Sequence, residues 1–91
     1  MKFTLLIALA ILFSCMKREL RGYVSKSSNG ETYLIIKDDC NQQVFIDGIK
    51  WDHKINEKGL VSPGVHEISG CGSVIIEIKK GTIYKFDYWG P

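Results

Sequence analysis

Three cysteines and two histidines carry most of the chemistry this chain of 91 residues could perform. Cys15, Cys40 and Cys71 are an odd number, which leaves one thiol to explain whenever two of them pair. His53 follows Asp52, and His66 precedes Glu67, so each imidazole has a carboxylate next to it in sequence. Such a set fits a metal site or an acid–base pair if the fold joins the two histidines. Neighbours in a strand point to opposite faces, however, so sequence adjacency alone makes neither pair a site. Both histidines therefore read first as exposed or edge-strand residues. Asp38, Asp39 and Asp47 fall in turn-like stretches without calcium-loop spacing and read as solvated turn aspartates.

Catalytic signals are otherwise thin. Ser62, Ser69 and Ser73 lack the Gly-x-Ser-x-Gly setting of a nucleophile elbow. No glycine-rich phosphate loop opens a helix, and the cysteines have no CxxC spacing for zinc. The expectation is a non-enzymatic protein without cofactor or metal. Charge excludes another class. Twelve basic and ten acidic side chains leave a net +2, scattered singly, without the basic stripe of a nucleic-acid binder. The two tryptophans remain. Trp51 and Trp89 read first as large side chains that close the ends of a thin core, and second as candidates for partner binding, as hot spots or as platforms for sugar rings.

The elements that must position these residues are strands. TYLIIKD (32–38) is β-branched and aromatic, and the polar DDCNQQ then interrupts it. VFI, Asp47-Gly48 and IKW read as a hairpin with a two-residue turn, because Asp-Gly accepts the positive φ that such turns need. A Ser-Pro-Gly turn (62–64) precedes VHEIS, and SVIIEIK and TIYKFDYW follow with clean alternation. KINEKG (54–59) reads as a loop, or as a short strand and turn, and SKSSNG (25–30) as a loop. The pattern predicts an all-β fold, a small antiparallel β-sandwich of about six short strands over 23–91. The inward set is Leu34, Ile36, Val44, Ile46, Val74, Ile76, Ile78, Tyr84 and Phe86; if the alternation runs on to Tyr88, Trp89 faces out beside Ile83.

Ahead of that domain lies a different kind of sequence. Lys2 precedes an apolar run from Phe3 to Phe13, then Ser14 and Cys15, the layout of a helical secretory signal peptide over 1–14. Phe3 to Met16 is 14 residues, about 21 Å of helix, short of the roughly 30 Å bilayer core. Residues 15–22, with Lys17, Arg18 and Arg21, read as a tether, either solvated or drawn to anionic head groups.

Leu12-Phe13-Ser14-Cys15 resembles the lipobox of bacterial lipoproteins, with leucine three positions before the cysteine and a small residue one before. Phe13 departs from the pattern, where a small or branched residue is commoner. The resemblance implies that Cys15 is lipidated (diacylglyceryl and palmitate-type acylation), that the leader is removed, and that the membrane is a partner through the N-terminal lipid. Met16 rather than aspartate after Cys15 leans, by the same resemblance, toward the outer membrane. With Cys15 on lipid, Cys40 and Cys71 remain as a disulfide pair closing a loop of about 30 residues, worth about 3.5 kcal/mol in the chain-entropy view. A bridge through Cys15 is the alternative.

Val44 to Gly48 and Pro63 to Ile68 resemble the PEGA-like β-sandwich modules of bacterial envelope proteins. There a strand ending in Asp-Gly is followed by a Pro-Gly turn opening a strand with a histidine. This resemblance implies a fold and a surface setting, and carries no catalytic residues. The resulting expectation is a lipid-anchored cell-envelope protein whose sandwich binds an envelope protein or glycan. An inhibitor of an attacking hydrolase or receptor, acting through a protruding loop over Trp51 to Gly59, is the first alternative. A metal-dependent hydrolase using His53 and His66 is the second.

Overall fold

The computed structural model describes residues 20–90; the expected signal peptide, Cys15 and most of the expected tether lie outside them. Eight strands form: β1 (Gly22–Lys26), β2 (Tyr33–Ile36), β3 (Phe45–Ile46), β4 (Ile49–Lys50), β5 (Lys58–Leu60), β6 (Gly64–Ser69), β7 (Ser73–Ile78) and β8 (Thr82–Phe86). They make two four-stranded sheets, β1-β8-β2-β5 and β4-β3-β6-β7, and no helix occurs among the described residues. The fold is an all-β sandwich. Six of the strands are those the alternation predicts, and β1 and β5 are additions. One pairing departs from the antiparallel expectation, since β2 and β8 run parallel, Leu34 opposite Tyr84 and Ile36 opposite Phe86. The chain can do this because residues 37–81 leave the sheet between the two strands, contributing β5 to its edge and all four strands of the other sheet.

The core lies between the sheets and follows the period of two in β2, β6, β7 and β8. Leu34, Ile36, Val44, Ile46, Ile68, Val74, Ile76, Ile78, Tyr84 and Phe86 are buried. All nine inward residues read from the sequence are there, with Ile68 added. Burying each large apolar side chain contributes about 1.5–3 kcal/mol, so this seam is the main source of stability. Tyr84 sits in it with its hydroxyl accepting the Arg21 N–H at 2.8 Å. Burial pushes its phenol above the ordinary value. That bond, and the Arg21 carbonyl accepting from the Asp87 N–H, tie the start of the chain to β8. The sandwich therefore begins one or two residues earlier than the tether boundary suggested.

Turn chemistry fixes the register. Asp47 and Gly48 both take positive φ, 53° and 81°, joining Ile46 to Ile49 as a two-residue hairpin. At β6 and β7, Ser69 pairs with Ser73 around Gly70-Cys71-Gly72. Tyr88 is 46% exposed, so the β8 alternation does not reach it, and Trp89, like Trp51, packs against the core, as expected of residues that close the ends of a thin sandwich. Strand β8 itself stops at Phe86.

Candidate functional site

The segment after β2 is built to bring Cys40 to Cys71. Asp38 and Asp39 each accept a backbone N–H two residues on, from Cys40 (3.0 Å) and Asn41 (2.9 Å). Those two residues turn back through positive φ of 53° and 58°. The disulfide joins Cys40 to Cys71 with the Cα atoms 5.6 Å apart. It staples the end of β2 in one sheet to the β6–β7 turn of the other. Trp89 covers the same end, its indole N–H donating to the Asp38 carbonyl at 2.8 Å and its ring meeting Phe86 edge-on at 4.8 Å.

Beside this staple opens a cleft with about 350 Å³ of empty space, its open mouth included. Asp39, Gln42, Gln43, Trp51, His53 and Ile55 line it above Ile36 and Val44. The 51–57 segment that forms its far wall is tied down at several points. Trp51 N–H donates to Val44 C=O, Asn56 N–H to Ile36 C=O, and Gln43 Nε2 to both Val44 C=O and Trp51 C=O. His53 lies 4.5 Å from the Trp51 ring, and its Nδ1 is 3.4 Å from Glu57. The Lys54 N–H, foremost, holds the Glu57 carboxyl below its ordinary value. Trp51 is partly buried, and its Nε1 is shut from solvent with no acceptor among the described residues. Aromatic contact and hydrogen bonding are what this cleft offers.

Gly59 is the floor under the two rings. A Cβ there would lie 2.4 Å from Trp51 Cη2 and 2.6 Å from His53 Cδ2. Gly59→Ala is therefore expected to push Trp51 outward and cost about 1–3 kcal/mol, with a red-shifted tryptophan emission as the readout. An unchanged spectrum and melting temperature would show that the indole does not rest there.

His66 is where reading the sequence alone falls furthest short. It is buried in an inner strand, not exposed or at an edge. Its Nδ1 contacts Asp47 Oδ2 at 2.5 Å and its Nε2 contacts the Ser62 carbonyl at 2.6 Å. Both ring nitrogens face oxygen atoms, so neither is left without a contact inside the fold. Asp47 Oδ1 also accepts the Glu67 N–H at 2.8 Å. That bond first, and the His66 ring second, hold the Asp47 carboxyl below its ordinary value. One aspartate thus serves as hairpin turn, partner of a buried imidazole and clamp on β6. The sequence names both residues, but nothing in it signals a contact 19 positions apart.

The two histidines are not brought into one constellation. His53 is exposed at the cleft, and both nitrogens of His66 are engaged inside the fold. Among the described residues no group of three or more His, Cys, Asp or Glu is placed to hold a metal ion. No family model matches the chain, and neither a curated protein nor a solved structure does.

Proposed function

We propose that this chain is a small lipid-anchored protein of the bacterial cell envelope, held by acylated Cys15, whose β-sandwich acts as a surface-binding module. The observation that carries the reading is the Cys40–Cys71 bridge. It uses two of the three cysteines and leaves Cys15, at the end of Leu-Phe-Ser-Cys, as the residue the lipobox resemblance assigns to lipid. The PEGA-like resemblance agrees with an all-β domain in which Asp47 and His66 serve the fold rather than a reaction. The module recognises an envelope protein or glycan through the cleft beside Trp51, with Trp89 supporting its disulfide end. By the same resemblance the lipid directs it to the outer membrane.

Growth with an alkyne fatty acid tests the anchor. The wild-type protein incorporates the label and partitions with membranes. Cys15→Ser loses the label, whereas Cys40→Ser keeps it. Label retained by Cys15→Ser would refute the assignment.

A further inference from the structure

No element among the described residues covers the outer face of the β1-β8-β2-β5 sheet, and its composition follows directly from the register. One row across the four strands runs Tyr23, Lys85, Ile35, Lys58. The next runs Ser25, Ile83, Tyr33, Leu60. These side chains alternate with buried Leu34, Tyr84 and Gly59, so all eight point away from the core. Five are apolar or aromatic, two are lysines and none is acidic. Tyr23 is 69% and Leu60 63% exposed. The Lys58 ammonium stands 4.3 Å from the centre of the Tyr33 ring. Lys37 and Asp87 follow at the ends of β2 and β8. The outer face of the opposite sheet is mixed in charge: Glu67 and Glu77 stand beside Ile75 and Val65, with Lys50 beside Phe45 and Lys79 following β7.

We infer that this basic, tyrosine-bearing face of the β1-β8-β2-β5 sheet lies against an anionic phospholipid surface and sets the orientation of the domain. The inference rests on the lipid anchor proposed for Cys15. Two features choose a bilayer over a protein. The chain enters this sheet at its edge strand, and Gly22 is seven residues from Cys15, a reach of at most about 25 Å. The face also joins tyrosines, whose rings and hydroxyls suit a membrane interface, to lysines that reach toward phosphates. The cleft beside Trp51, between the β2–β3 and β4–β5 connections, then remains open for a partner.

The test is amine labelling of the purified, acylated protein with a water-soluble active ester, read residue by residue by mass spectrometry. Each lysine is compared between phosphatidylglycerol-containing vesicles and detergent. Labelling of Lys37, Lys58 and Lys85 is expected to fall about fivefold in vesicles while that of Lys50 holds. Neutral phosphatidylcholine vesicles, or about 1 M salt, should abolish the difference. Lys58→Glu with Lys85→Glu should remain anchored yet lose the protection of Lys37. An acylated protein whose lysines all label alike overturns the face while leaving the anchor standing. Protection seen in whole envelopes but not in pure vesicles overturns it too, in favour of an acidic protein. A protein without acyl mass that fails to float with vesicles overturns the anchor and the face together.

Discussion

Replacing both Cys40 and Cys71 with serine is expected to lower the stability of the domain by about 3 kcal/mol. For a domain of this size that is a fall in Tm of roughly 12–24 °C. The bridge spans 31 positions and joins the two sheets at an end where no continuous strand crosses between them. Its loss frees the unfolded chain and removes the fastening that holds the 38–41 turn, with its two positive-φ residues, against the β6–β7 turn. Small domains bury too little surface to absorb such a loss easily. Thermal melts followed by far-ultraviolet circular dichroism, with and without reductant, check this. Reductant should shift the wild type by the same amount and leave the double variant unmoved. A wild type indifferent to reductant would mean that the bridge closes no entropy-costly loop.

The second large effect is expected at His66. Truncation to alanine leaves a cavity beside the core and strips the Ser62 carbonyl and one Asp47 oxygen of their partner. The expected loss is about 2–3 kcal/mol. Asp47→Ala should approach it, since the Glu67 N–H loses its acceptor and alanine accepts the φ of 53° poorly. Asp47→Asn should cost only about 1 kcal/mol, because asparagine tolerates that φ and keeps an acceptor for Glu67. The pH dependence has a definite sign. The Asp47 carboxyl titrates lower in the folded protein than its ordinary value of 3.8. Its contribution is therefore present in full above that value, and it is lost as pH falls through the lower folded value. The stability difference between wild type and Asp47→Asn should shrink as the pH falls below about 4. Chemical denaturation across that range is the check, and a difference that grows on acidification would contradict the assignment.

Particular residues show why most of the core was legible and the cleft was not. Ile76, Ile78, Tyr84 and Phe86 lie in strands with one buried face, where alternation reports burial directly. Ile68 was missed because it shares its inward face with His66, and a histidine makes that face read as polar. Strand β1 is an edge strand with four of its five residues exposed, so nothing in GYVSK alternates. Strand β5 turns Gly59 inward, and a glycine beneath an indole leaves no hydrophobic mark. Alternation cannot be extended past Phe86 to Tyr88, because the strand ends there and the Trp89 ring folds back onto the core. The Asp-Gly turn was readable as local chemistry. The second role of Asp47, as partner of His66, depends on tertiary contact.

The account stands on the division of labour among three cysteines, and one measurement tests it most directly. The intact mass of the protein extracted from membranes should correspond to a chain beginning at Cys15, increased by its acyl groups and reduced by the two hydrogens of the Cys40–Cys71 bridge. A mass that begins at Met1 and carries no lipid would contradict it.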